Sequence, residues 1–233
     1  MTPRVSVIIP TLNEEASIGR VIRDIPQPPV AEIIVVDGGS TDRTREIAAD
    51  LGARVILERR RGYGRACLTG AEQATRADIV VFLDGDYSDR PAELVQLIDP
   101  IVRGQADMVI GSRLAGRLEP GALPWHSRVG NRMAAALMRL LYGVRLSDLG
   151  PFRAVRADLL RGMRLREQTY GWPVEMIARA VRGGRRVVET PVSYHPRIGT
   201  SKITGTVRGS IGAAWFIMTR IFLYRFARLT WES

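Results

Sequence analysis

The sequence predicts an α/β fold in which a mostly parallel central sheet carries helices on both faces. Three observations lead there. Short β-branched runs recur along the chain, and most are followed by a helical pattern of about 10–12 residues. Val7-Ile8-Ile9, Ile33-Ile34-Val35-Val36 and Ile79-Val80-Val81-Phe82-Leu83 are apolar throughout, as befits central parallel strands covered on both sides. The chain has 233 residues, 45% of them hydrophobic, which is enough for one large core.

In chain order, residues 5–9 form the first strand and precede a helix over about 14–25. Residues 32–36 form the second, before a helix over about 41–51. Residues 54–57 lead through Gly62-Tyr63-Gly64 into a helix ending near Thr75, which places Cys67 as a small buried residue. Residues 78–83 precede a helix over 91–102, and residues 107–110 close the series. The segment from Trp125 to Tyr142 has a helical period. At about 100° per residue, Arg128, Arg132 and Arg139 share one side, and Val129, Met133, Leu137 and Leu140 fall on the other. Near the C-terminus, Ile211, Trp215, Met218, Phe222, Phe226 and Leu229 recur at spacings of three and four. That is the apolar stripe of an amphipathic helix, with Arg220, Arg225 and Arg228 off it.

Composition narrows the chemistry. Cys67 is the sole cysteine, so no internal disulfide exists. Cys67, His126 and His195 are too few for a structural zinc site, which takes four N or S ligands. A metal would have to be a hard cation held by carboxylates. The net charge is +10, and of 34 basic residues a single one, Lys202, is lysine. Such a charge attracts nucleic acid, acidic lipid or phosphorylated substrates. The arginines are spread along the chain without an RNA- or DNA-binding motif, so a nucleic-acid partner is not expected. The N-terminus lacks the pattern of a signal peptide, and no uninterrupted apolar stretch reaches about 18 residues. A cytoplasmic protein is expected.

In parallel sheets with helices on both faces, ligands bind beyond the carboxyl ends of the strands. Here those ends read Pro10-Thr11-Leu12-Asn13-Glu14, Asp37-Gly38-Gly39-Ser40-Thr41-Asp42, Asp84-Gly85-Asp86-Tyr87-Ser88-Asp89 and Gly111-Ser112-Arg113. Acidic and small residues thus collect at one edge in four separate segments. Two aspartates flanking a glycine can be simple turn formers. With the Ser88 hydroxyl beside them, they also present hard oxygen ligands from one short loop, as magnesium or manganese requires. No Gly-x-Gly-x-x-Gly dinucleotide fingerprint is present.

These segments, in this order, resemble the signatures of the family 2 inverting glycosyltransferases, whose GT-A fold has a Rossmann-like sheet. Asp148-Leu149-Gly150-Pro151-Phe152-Arg153, Tyr170-Gly171-Trp172-Pro173-Val174-Glu175-Met176 and the run from Tyr194 through Arg197 to Lys202 are similar to the dolichyl- or polyprenyl-phosphate sugar synthase branch. The resemblance implies a catalytic domain over residues 1–205, with a nucleotide-sugar half over 1–113 and an acceptor half over 114–205. The helix over 206–233 follows it.

By the same resemblance, Pro10, Leu12, Glu14, Val36, Asp37 and Gly38 line the nucleoside pocket. Asp84, Asp86 and Ser88, with Gly85 between the aspartates, hold the Mg²⁺ or Mn²⁺ that bridges the donor diphosphate. Arg113 reaches acceptor or donor phosphates, and Arg197 and Lys202 grip the departing diphosphate from a mobile loop. The chain carries Ser88 and Gly38 where glutamine and aspartate are common in the synthases.

The implied donor is UDP-glucose or GDP-mannose, and the implied acceptor is a polyprenyl phosphate bound by Arg128 and Arg132. A phosphate nucleophile is already ionised and needs no base. A hydroxyl acceptor would need one, for which Asp148 and Glu175 are the candidates, while His195 reads as a loop residue. Two further acceptor classes stay open, a phosphorylated small molecule and a growing glycan. Arginines beside Trp215, Tyr224 and Trp231 suit a membrane surface, so peripheral attachment is expected, and a homo-oligomer is compatible with it. Arg59-Arg60-Arg61-Gly62-Tyr63-Gly64-Arg65 is a basic loop that could steer the donor, but it reads better as a solvated charge run.

Overall fold

The computed structural model describes residues 3–199 and 207–227. The chain alternates β1 (Val5–Thr11), α1 (Ile18–Arg23), β2 (Val30–Asp37), α2 (Thr44–Asp50), β3 (Arg54–Leu57), α3 (Tyr63–Gln73) and β4 (Ile79–Phe82). A 3-10 turn (Pro91–Glu93) runs into α4 (Leu94–Val102), followed by β5 (Met108–Ser112) and the long α5 (Trp125–Tyr142). Then come β6 (Arg153–Arg156), α6 (Ala157–Gly162), α7 (Trp172–Arg182), β7 (Val187–Pro191) and α8 (Val207–Phe226).

The seven strands form one sheet in the order β3-β2-β1-β4-β6-β5-β7. It is parallel throughout except at β6, which runs antiparallel to both β4 and β5. Side chains alternate across each strand, so one continuous run feeds two cores. Ile8, Ile34, Val36 and Phe82 face α3, α5, α7 and α8, around a fully buried Trp172. Val7, Ile9, Val35 and Val81 face α1, α2 and α4. The all-apolar reading of these strands holds for that reason.

Local chemistry moved several boundaries. The first helix begins at Ile18, not near residue 14, because the intervening stretch turns to bring the Ser17 hydroxyl onto the Gly85 carbonyl (2.8 Å). The second begins at Thr44, because Asp42 accepts from the Thr44 amide and hydroxyl and holds the preceding loop out of the helix. The strands β6 and β7 carry no apolar run. β6 reads Arg-Ala-Val-Arg, and its Arg153 is fully buried under Trp172.

The two long helices correct the sequence reading of their faces. α5 turns its small residues Ala134 and Ala135, with Met138, into the core. Val129, Met133 and Leu140 point outward beside the exposed Arg128, Arg132 and Arg139, and Trp125 and Leu140 are 71% and 79% exposed. α8 packs on α5 and α7 through Ile221 and Tyr224, and the Tyr142 hydroxyl donates to the Ile221 carbonyl (2.6 Å). Trp215, Phe222 and Phe226, the stripe expected to be buried against one surface, face away from that packing. α8 is therefore apolar on two sides rather than amphipathic. No helix among the described residues is long and apolar enough to cross a membrane.

α3 comes close to the sheet at Gly70, where an added Cβ would stand 2.4 Å from Cγ2 of Ile8. Gly70→Val is expected to lower stability by about 1–3 kcal/mol, read as a fall in the urea unfolding midpoint. An unchanged midpoint would mean that α3 stands further off the sheet.

Candidate active site

Three loops meet at the carboxyl edge of β1, β2 and β4, and hydrogen bonds and close packing lock them in register. The Gly38 amide donates to the Thr11 carbonyl (2.9 Å). The Asn13 carboxamide accepts from the Thr41 amide (2.8 Å), and the Ser40 hydroxyl accepts from the Asn13 amide (2.8 Å). Gly85 passes so close to β1 that a Cβ there would stand 2.8 Å from Cγ2 of Thr11. A glycine between the two aspartates is thus a packing requirement, and it presents both carboxylates to one side.

The loops enclose a cavity of about 610 Å³. Of the expected residues, Pro10, Leu12, Glu14, Gly38, Asp84, Gly85, Asp86 and Arg197 line it. Asp84 accepts from the Tyr63 hydroxyl (3.1 Å). Burial, reinforced by the charge of Asp86, pushes the Asp84 carboxyl up to about 7. Arg197 arches over the opening: Nη2 donates to Glu14 Oε1 (2.9 Å), and Nη1 lies 3.5 Å from Asp86 Oδ2. Its segment is held down by the Ile198 amide on the Asp86 carbonyl (3.0 Å) and the His195 amide on the Ser88 carbonyl (2.8 Å). His195 is a loop residue, as expected. Its Nδ1 lies 2.7 Å from Glu119 and its Nε2 accepts from Arg90.

Other expectations are corrected. Val36 faces the core and Asp37 is fully buried, its carboxylate accepting from the Gly39 and Ser40 amides, so neither side chain lines the cavity. The Ser88 hydroxyl donates to Asp86 Oδ1 (2.6 Å) from a buried position behind it. Ser88 supports Asp86 rather than facing the cavity as a third ligand. Arg113 is buried in a two-point pair with Asp148 (2.6 and 2.8 Å) and stacked on Tyr194, so it is not free to reach a phosphate. Burial opposes ionisation of Asp148, yet Arg113 and backbone amides hold its carboxyl below the ordinary range. Glu175 is equally occupied, by Arg179 and the amides of Arg166 and Glu167. Arg128 donates to the Leu123 carbonyl (3.1 Å), and neither it nor Arg132 lines the cavity. Lys202 lies outside the described residues.

Lining residues outside the strand-end segments singled out from the sequence include Arg60, Arg61, Gly62, Tyr63, Ala66 and Tyr170. The arginines belong to the run read as solvated. Their signal was the adjoining Gly62-Tyr63-Gly64, whose two glycines pack against the backbone of residues 167–168. Glu58 accepts from Arg60, Arg65 and Thr69 and anchors the loop.

The pair of carboxylates fits a divalent cation. Two like charges share the cavity wall, and part of Asp84's proton affinity arises from Asp86. Among the described residues no third carboxylate, histidine or cysteine completes a cluster, so a cation there takes further ligands from substrate and water.

Comparison with known proteins agrees with this geometry. The family model "Glycosyl transferase family 2" matches residues 6–164. A glycosyltransferase of Mycobacterium tuberculosis without an assigned substrate is 39% identical over 210 residues, covering 89% of this chain and 93% of the relative. The polyprenol monophosphomannose synthase of Mycolicibacterium smegmatis is 34% identical, covering 88% and 83%. The undecaprenyl-phosphate mannosyltransferase of Micrococcus luteus is 32% identical, covering 93% of each. Among solved structures, glucosyl-3-phosphoglycerate synthase of Mycobacterium tuberculosis with bound phosphoglyceric acid superposes with a TM-score of 0.76 at 26% identity, covering 96% of this chain and 80% of that one. The same synthase has been seen with Mg²⁺ and UDP, at a TM-score of 0.75, 26% identity and coverage of 96% and 79%. The sheet described above is the GT-A fold of these glycosyltransferases, and the chain belongs to glycosyl transferase family 2.

Proposed function

We propose that this glycosyltransferase moves a hexose, glucose or mannose, from a nucleoside-diphosphate sugar to a polyprenyl phosphate at a membrane surface. One observation carries the choice of acceptor. Among the described residues, the carboxylates lining the cavity are Glu14, Asp84 and Asp86. Glu14 is bound by Arg197, and the aspartates form the pair suited to a cation. Asp148 and Glu175 are buried in their own ion pairs. Among the described residues lining the cavity no carboxylate is left over to take a proton from a hydroxyl, and a phosphate oxygen needs none taken.

Leu12 and Gly38 offer the donor nucleoside a wall at the β1 and β2 ends, with Pro10 and Glu14 beside it. Asp84 and Asp86 would hold Mg²⁺ or Mn²⁺, which when bound neutralises charge growing on the leaving diphosphate. Arg197 adds a cation at the same place, and the expected second cation, Lys202, lies outside the described residues. A phosphate oxygen attacking in line from the far side of the sugar inverts the anomeric centre. The outward tryptophans of α5 and α8, interleaved with Arg128, Arg132, Arg139 and Arg225, suit an anionic lipid surface from which such an acceptor would be drawn. The nucleotide half over 1–113 and acceptor half over 114–205 remain the working division of the chain. The names of two relatives, a polyprenol monophosphomannose synthase and an undecaprenyl-phosphate mannosyltransferase, support this acceptor. A second reading, a soluble phosphorylated acceptor, is favoured by the likeness to glucosyl-3-phosphoglycerate synthase.

The two readings separate on partitioning. With radiolabelled UDP-glucose or GDP-mannose, Mn²⁺ and a short polyprenyl phosphate, label is expected in the organic phase. Label confined to the aqueous phase, with turnover of phosphoglycerate, would establish the second reading instead. Asp86→Ala is expected to lower turnover by at least about 100-fold with an unchanged melting temperature. Wild-type turnover in that variant, or in EDTA, would remove the cation from the mechanism. Arg128→Ala should raise the KM for the polyprenyl phosphate several-fold more than that for the donor, and equal shifts would dismiss Arg128 as an acceptor contact.

A further inference from the structure

We propose that Glu167 is a positioning residue for the donor cavity, through which α8 holds the wall that carries Tyr170. The inference rests on the reading of that cavity as the nucleotide-sugar site. Both ends of the linkage lie beyond the family-matched residues, which stop at 164.

From the α8 side, the Tyr224 hydroxyl donates to Glu167 Oε2 (2.9 Å), and Arg220 Nε pairs with the same oxygen (2.9 Å). The other oxygen, Oε1, accepts from the Thr169 amide (3.1 Å) and hydroxyl (2.7 Å), one residue before Tyr170. One nearly buried carboxylate therefore joins a helix to a loop, with each oxygen serving one of them. Burial opposes its ionisation, yet the donors from Thr169 and Tyr224 hold its carboxyl below the ordinary range.

The loop is in turn keyed into the cavity. The Gln168 carbonyl accepts from the Arg65 amide (2.9 Å) at the start of α3. A Cβ on Gly62 would stand 2.2 Å from that carbonyl, and one on Gly64 would stand 2.5 Å from the Glu167 carbonyl. Residues 62–65 and 167–170 are thus keyed together, and they carry Tyr63 and Tyr170, which both line the same cavity. Tyr63 also donates to Asp84. A shift of Glu167 would displace both aromatic walls and loosen a hydrogen bond to one aspartate of the cation pair. Arg179 and Glu175 brace the loop from α7, so its fold does not depend on α8 alone.

The test uses the full chain with UDP and GDP, each with Mn²⁺, in titration calorimetry, and the matching nucleotide sugars in kinetics. Glu167→Gln and Arg220→Met are each expected to raise the nucleotide Kd and donor KM about tenfold, with kcat falling less. Arg220→Lys should restore most of the loss. In a Tyr170→Ala background, Glu167→Gln should add little, since the wall it positions has gone. Hydrogen exchange of the Thr169 and Arg65 amides should quicken in Glu167→Gln without nucleotide. Unchanged Kd in both variants, or equal losses with and without Tyr170, would overturn the proposal. A wild-type chain that binds neither nucleotide would overturn the donor reading itself, and this inference with it.

Discussion

Two carboxylates of like charge, held on one loop at the edge of a parallel sheet, set the terms for everything around them. Ionising both without a counter-charge is costly, which is why burial and Asp86 together push Asp84 so far up. The surrounding residues answer that cost in different ways. Tyr63 and Ser88 each donate to one carboxylate, fixing its direction, and Arg197 brings a cation to Asp86. None of these cancels two charges in a partly enclosed space. A divalent ion would, and it would take its remaining ligands from water and an anionic substrate. The glycine between the aspartates and the tight passage along Thr11 are the backbone's share of the same requirement.

The frame of the sheet was legible because parallel central strands must be apolar on both sides, and such runs stand out at 7–9, 33–36 and 79–83. The aspartate pair was legible for a related reason: charge directly after a buried run has few places to go except the strand end. β6 escaped because its two apolar residues, Ala154 and Val155, are flanked on either side by an arginine. Arg153 lies buried in the sheet, donating to the carbonyls of Pro151 and Pro173 rather than to any carboxylate partner. Nothing in a local pattern announces that an arginine will be solvated by backbone carbonyls and a tryptophan face.

The site residues divide along the same line. Residues whose role is to expose a short side chain at a strand end, such as Leu12, Glu14 and Asp86, were found by position. Residues whose fate depends on a distant partner were not. Arg113 looked available for phosphate, but Asp148 claims it through two hydrogen bonds 35 residues away. Breaking a buried pair of this kind strands a charge, commonly at about 3–5 kcal/mol, so Arg113 serves as scaffold for the loop after β5. Tyr170 shows the reverse: it lies far along the chain, and only the docking of residues 167–170 onto α3 brings it to the cavity.

Helix faces posed the hardest problem, and α8 shows why. Periodicity identifies a core-facing stripe only when the opposite side is polar. Ile221 and Tyr224 face the core, while Trp215 and Phe226 remain 73% and 76% exposed, so apolar residues surround the axis and no single stripe dominates. What decides the orientation is polar. Tyr224 seeks Glu167, the Ile221 carbonyl accepts from Tyr142, and Arg182 closes the C-terminal turn on the Tyr224 and Ala227 carbonyls. Rotating α8 to bury Trp215 and Phe226 would bury more aromatic surface. It would also break those hydrogen bonds and leave the Glu167 carboxylate without its α8 donors in a nearly dry place. The cost of stripping a buried carboxylate of two of its donors outweighs the burial of two rings. The aromatic face is left outward because the inner face is held by that carboxylate.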